Sequence, residues 1–176
     1  MFGDVILRLA RDGDLDRLRA ISAEARQRYG TLAGLAHVAD ATALDRERFA
    51  PCRVMIAVAE DETQILGFAM TRPLDGLLYL DNISVDPACS GQGIGPCLLA
   101  DVLAHAAASG APAIALTTFR EPKWNGPWFR RHGFQAMPAA HIGPGLRAVM
   151  DRQALTLDPA TRETLWRPAR PVVAPA

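Results

Sequence analysis

The chemistry-bearing residues of this chain concentrate at Ser90–Gly95, which reads SGQGIG. Three glycines in six residues let a backbone approach an anion with no Cβ in the way. A helix beginning at once after them would aim unpaired N–H groups and the positive end of its dipole at the same place. A phosphate or pyrophosphate is the ligand such a loop fits. Taken alone the loop is equally compatible with a structural turn before a core helix, so its flanks decide.

Those flanks are a strand and a helix. Leu77–Val85 is a run of apolar and β-favouring residues that ends at the turn pair Asp86 and Pro87. Beyond the glycines, Ile94, Leu98, Val102 and Ala106 recur four apart, and Cys97, Leu99 and Leu103 widen the stripe. Asp101, His105 and Ser109 fall opposite. Pro96 suits a first helical turn and Gly110 closes the element.

Three phosphate loops compete for this spacing. A Walker A loop requires GK and then Ser or Thr, but Pro96 and Cys97 follow the last glycine. A dinucleotide fingerprint counted from Gly91 needs glycine or alanine where Pro96 stands, and it opens an early βαβ unit. The third is the acyl-coenzyme A loop: Gln or Arg, two residues, Gly, one residue, Gly or Ala. Gly93 and Gly95 match its small positions, while Ser90 occupies the Gln/Arg position and Pro96 withdraws a backbone donor.

A second landmark is WNGPWFRRHGF, Trp124–Phe134. Asn125 is placed to cap a short helix there and Gly133 to stop it. With the ISVDP strand end at Ile83–Pro87 and the SGQGIG loop, in this order and distance, the chain resembles the GNAT N-acetyltransferases over roughly Val5–Pro168.

Composition bounds the rest. At 176 residues, 49% of them hydrophobic, one domain can bury a core without metal or disulfides. Charged residues interrupt every apolar run before ~18 residues, so no spanning helix is expected, and MFGDVILRL lacks the basic start and cleavage site of a signal peptide. Nineteen basic and nineteen acidic residues argue against a nucleic-acid grip and for a small-molecule partner. Cys52, Cys89 and Cys97 are odd in number without CxxC spacing, which suggests neither a disulfide framework nor a zinc site; no metal and a cytoplasmic setting are expected. A homodimer is left open.

In chain order, Val5–Leu9 reads as a strand and Asp12–Tyr29 as a helix capped by Asp12 or Asp14 and ended by Gly30. Thr31–Ala50 reads as one or two short helices. Cys52–Glu60 and Gln64–Thr71 form a hairpin about Asp61 and Glu62, and Leu77–Val85 follows after Pro73, Asp75 and Gly76. Ala113–Phe119 should lie parallel to Leu77–Val85, because a helix joins them. Gly143–Thr156 is an inserted helix, and Thr161–Trp166 pairs with a strand begun at Phe134. The expected class is α/β (α+β), a mixed central sheet of six to seven strands flanked by helices, in one domain over residues 1–168. A proline-rich tail, 169–176, follows.

The resemblance implies acetyl transfer from acetyl-coenzyme A to a small-molecule amine. The two parallel strands would splay, the pantetheine arm would bond to backbone along Ile83, Ser84 and Val85, and the pyrophosphate would lie over Gly91, Gln92, Gly93, Ile94 and Gly95, with Ser90, Pro96, Asn125 and Phe129 completing the coenzyme site. Asp81 stands where several relatives carry a catalytic glutamate, and burial in a central strand would make it a better base; bonding to a neighbouring backbone or arginine is the alternative. Glu121 and His37 are further candidates. The family's acid, a tyrosine, falls at Phe129, which leaves Thr117, Thr118, water or distant Tyr79 as donors. A coenzyme A-binding module without transfer, and a nucleotide-binding redox protein, are the other readings.

Overall fold

The computed structural model describes residues 4–169, and the tail from residue 170 lies outside the described residues. Seven strands form one mixed sheet in the order β1-β2-β3-β4-β5-β7-β6. They are β1 (Ile6–Leu9), β2 (Arg53–Val58), β3 (Ile65–Leu74), β4 (Leu77–Val85), β5 (Ala113–Phe119), β6 (Gln135–Ala136) and β7 (Arg162–Pro168). The helices are α1 (Leu15–Arg26), α2 (Ile94–Ala108), α3 (Gly126–Arg131) and α4 (Pro144–Gln153). β4 and β5 run parallel, with Leu78 opposite Ile114 and Tyr79 opposite Ala115, as the intervening helix requires.

Two compact units share the chain. One comprises the chain through Thr71 together with Asn82–Val102, and the other Arg72–Asp81 with the chain from Leu103 onward.

In the first unit, α1 presents Leu18 and Ile21 to a core of Ile56, Phe68 and Met70. Gly67, in the middle of β3, sits where a Cβ would lie 2.7 Å from the Ser84 carbonyl oxygen and 3.2 Å from the Val85 Cα and the Ile94 Cγ2. A glycine inside a strand marks close backbone approach, and here it admits the end of β4 and the first residue of α2. Asp14 accepts the Arg11 N–H at 2.7 Å and a guanidinium bond from Arg8, so it braces the 3-10 turn before α1 and makes no side-chain cap on α1 itself. At the other end Gly30 lies within a further 3-10 turn, Gln27–Thr31.

The helices expected over Thr31–Ala50 are 3-10 turns, Ala36–Val38 and Arg46–Phe49. The stretch between them is held from outside: Arg26 donates to the Ala41 and Thr42 carbonyls, Gln27 to Ala39 and Arg19 to Leu44. With those carbonyls engaged by side chains of α1 and of Gln27 just after it, and Gly34 at φ +78°, no α-helical ladder forms. Leu35, Val38, Leu44 and Phe49 are buried nonetheless.

The second unit is built around Tyr79, Ala115, Met137, Leu146 and Val149. The β3–β4 turn is Asp75 and Gly76, both at positive φ, while Pro73 stays within β3. Asp75 reaches α4, where its carboxylate accepts the Gly145 and Leu146 N–H groups at 2.9 and 2.8 Å and caps the helix from a distant turn. β7 pairs with β6, as expected, and also lies against β5, with Phe119 opposite Arg162 and Thr117 opposite Thr164. That insertion of β7 between β5 and β6 brings remote residues together.

Candidate functional site

In the first unit, β4 ends at Val85 and the chain turns at Asp86. Asp86 is buried; its N–H donates to the Leu66 carbonyl at 2.9 Å, and its carboxylate accepts the Ala88 N–H at 2.9 Å and an Arg17 guanidinium bond at 2.5 Å. The turn is therefore pinned on three sides before the glycines begin. Ser90, Gly91, Gln92 and Gly93 are exposed, and Ile94 plugs the loop into the core at 2% exposure.

Gly91 and Gly93 have φ of +78° and +83°, a region that glycine enters without steric cost. A Cβ at either would meet nothing within 4 Å, so the space above both is open. The N-terminal bond at the start of α2 runs from the Cys97 N–H to the Gly93 carbonyl at 3.1 Å, and the N–H groups of the first turn have no intrahelical acceptor. Pro96 occupies that turn, where its missing donor costs no helical bond. Open backbone, unpaired donors and a fifteen-residue helix behind them give this corner the means to hold a phosphate. Two neighbours brace it: Arg53 of β2 grips Asp101 of α2 at 2.6 Å, and Ser84 Oγ donates to Asn82 Oδ1 at 2.7 Å. Cys89 beneath the loop is fully buried, and burial, with Asp86 adding, pushes its thiol up, so it stays protonated and is no nucleophile.

The second unit holds the proton-handling candidates. Asp81 Oδ2 accepts from Arg72 Nε at 3.2 Å, with both side chains largely buried. Arg72 also lies 5.1 Å from the centroid of the Tyr79 ring. Tyr79 is 2% exposed, two residues before Asp81 and on the same face of β4, and its hydroxyl lies 3.3 Å from Thr117 Oγ1. Burial pushes the Tyr79 phenol up; the Thr117 hydrogen bond opposes this, the Asp81 charge adds to it, and Arg162 and Arg72 oppose it.

Thr117 is a junction. Gln153 Nε2 of α4 donates to its hydroxyl at 3.0 Å and Arg162 at 3.2 Å, and Arg162 also donates to Gln153 Oε1 at 3.3 Å. The Arg162 guanidinium lies 4.4 Å from the centroid of the Phe119 ring, its cross-strand partner. This network borders a cavity of about 320 Å³ with apolar walls that include Met137, Ile142, Met150 and Leu157. Neither Gln153 nor Arg162 stood out in the sequence, because nothing local shows that β7 joins β5; the signal available was a pair of threonines in an apolar strand.

Asn125 stands at the N-cap of α3, as its position suggested, but makes no side-chain cap bond; its carbonyl accepts the Phe129 N–H at 3.0 Å. Phe129 is buried, edge-on to Trp128 and Phe134 at 5.0 and 5.4 Å. Gly126 leaves room for Glu163, which pairs with Arg130. Glu121 and His37 are exposed. Among the described residues no helix is long and apolar enough to cross a membrane, and no group of three or more His, Cys, Asp or Glu could hold a metal.

Comparison with known proteins agrees with this geometry. Residues 52–136 match the family model for the acetyltransferase (GNAT) domain. A GNAT family acetyltransferase from Brucella melitensis, solved with acetyl-CoA, is 26% identical over 76% of this chain and 84% of its own, at a TM-score of 0.55. PaiA N-acetyltransferase from Thermoplasma acidophilum, in complex with coenzyme A, is 14% identical over 94% of this chain and 99% of its own, at 0.68. N-acetylglutamate synthase from Neisseria gonorrhoeae, complexed with coenzyme A and N-acetyl-glutamate, is 18% identical over 96% of this chain, at 0.69; the chain spans 36% of that protein.

Proposed function

We infer that this chain, whose residues 52–136 match the family model for the GNAT acetyltransferase domain, binds acetyl-coenzyme A at Ser90–Pro96 and transfers the acetyl group to the amine of a small molecule. The observation that carries the reading is the loop: two glycines at positive φ, open above their Cα atoms, at the N-terminus of α2. Its donors hold the pyrophosphate, and the backbone of Ile83, Ser84 and Val85 receives the pantetheine arm.

Transfer requires a neutral amine, whose lone pair attacks the thioester carbonyl carbon as the carbon–sulfur bond breaks and its electrons leave with sulfur. Asp81 takes the amine proton, directly or through water, and its bond to Arg72 holds the carboxylate in place. No tyrosine stands in the α3 segment to protonate the sulfur. Solvent and the Tyr79–Thr117 hydroxyl pair are the donors at hand.

The test is thiol release from acetyl-coenzyme A against a panel of amines. Release above the rate of hydrolysis with at least one amine supports the enzyme. Coenzyme binding with no acceptor consumed would favour a second reading, a coenzyme A-binding module, to which the burial of Phe129 in place of a proton donor lends weight.

A further inference from the structure

The cavity bounded by β5, β6, β7 and α4 leaves apolar side chains partly uncovered. Met137 is buried, but Ile142, Met150 and Leu157, which line the same space, are only half-buried. Both ends of α4 are tied in place. The Asp75 carboxylate takes the Gly145 and Leu146 N–H groups at 2.9 and 2.8 Å, and Gln153 Nε2 donates to Thr117 Oγ1 at 3.0 Å. Gly143 and Gly145 admit that carboxylate, since a Cβ at Gly143 would lie 2.5 Å from the Asp75 Cγ and one at Gly145 2.8 Å from its Oδ1. With the helix held at this distance from the strands, an apolar guest is what completes the burial of the three side chains.

The polar groups of the lining say what else the guest carries. Thr117 Oγ1 receives Gln153 Nε2 and Arg162 and shares a third bond with the Tyr79 hydroxyl, which saturates it. Gln153 Oε1 accepts from Arg162, and Glu163 pairs with Arg130. Thr164 differs: its hydroxyl donates to the Met150 thioether at 3.6 Å, a weak acceptor that a hydroxyl oxygen outcompetes. The thioethers of Met137 and Met150 adapt to the shape of what enters. About 320 Å³ holds roughly ten non-hydrogen atoms at the ~30 Å³ of a water molecule each. We propose that this cavity is a binding site for a neutral small molecule with one hydroxyl and an apolar chain of up to about nine carbons, the chain lying against Ile142, Met150 and Leu157 and the hydroxyl bonded to Thr164. The site requires no coenzyme, so it goes beyond the acetyltransferase reading and does not depend on it.

Straight-chain alcohols from butanol to decanol, titrated calorimetrically into the full chain, test it. Affinity should rise about fourfold per added methylene and level off at roughly nine carbons, where the cavity is full. Octanol should bind at least about tenfold more tightly than octanoate or octylammonium, because a charge gives up hydration to enter. Ala154 borders the cavity and is exposed, so Ala154→Trp should fold and should move the levelling point several carbons shorter. Thr164→Val keeps the shape of the wall without its hydroxyl and should weaken every alcohol by about fivefold. Absence of binding by any alcohol, affinity that does not grow with chain length, or octanoate or octylammonium binding as tightly as octanol would overturn the proposal. So would an Ala154→Trp or Thr164→Val protein that reproduces the parent's series.

Discussion

The glycine loop of the first unit and the cavity of the second are built in opposite ways. The loop is six consecutive residues whose function lies in the backbone: positive φ at Gly91 and Gly93, and donors at a helix start. The cavity network takes Tyr79 from β4, Thr117 from β5, Gln153 from α4 and Arg162 from β7, and its function lies in side chains meeting across the unit. On the proposed reading the loop takes the phosphates of acetyl-coenzyme A, which leaves the side chains of the second unit for the acceptor and its proton.

If that division holds, changes at Asp81 or in the Tyr79–Thr117–Gln153–Arg162 network should alter turnover while leaving coenzyme affinity alone. Asp81→Asn should show the largest effect, a loss of about 10²- to 10⁴-fold in kcat if it is the general base, with acetyl-coenzyme A affinity unchanged by calorimetry. A variant turning over at the parent rate would move the base elsewhere, with exposed Glu121 next to be tried.

Gly67→Val crosses the division from the other side. Its side chain would press on the Ser84 carbonyl and on Ile94, so something must shift. We expect a destabilisation of about 1 to 3 kcal/mol in urea unfolding together with weaker coenzyme binding, because the displaced atoms lead into the loop. Weaker stability with full coenzyme affinity would show that the loop does not depend on this close approach.

Tyr79→Phe should be the smallest change, about 1 kcal/mol for the lost Thr117 bond. Its sign with pH is fixed by the raised phenol. The folded state holds the proton more tightly than the unfolded chain, so this contribution is complete below the unfolded value, about 10, and is lost as pH rises toward the folded value. Thermal unfolding between pH 9 and 11 should therefore fall more steeply for the parent than for Tyr79→Phe.

The same contrast explains what could be read from the sequence. Strand β4, the loop and α2 fall where spacing put them, because apolar periodicity, Pro96 and Gly110 are local signals. Over Thr31–Ala50 the leucine spacing predicts helix, yet the side chains of Arg26 and Gln27 take carbonyls that a helix would use. Asn125 was placed correctly at a helix start, but no linear pattern tells whether the side chain turns back to cap. Gly67 looked like an ordinary strand residue, since its need arises from Ser84 and Ile94. Arg162 and Gln153 were invisible for the same reason: β7 slots beside β5, a pairing set by tertiary packing.

Calorimetric titration of acetyl-coenzyme A into the parent and into Gly93→Leu bears most directly on the central claim. A Cβ at Gly93 would meet nothing within 4 Å, and the left-handed backbone there costs about 1 to 2 kcal/mol, so the variant should fold. Its side chain would occupy the open space over the loop. The account predicts tight binding by the parent and at least a roughly hundredfold loss in the folded variant, comparable to two charge-assisted hydrogen bonds. Equal affinity in the two proteins would contradict it and place the coenzyme, if it binds at all, away from this loop.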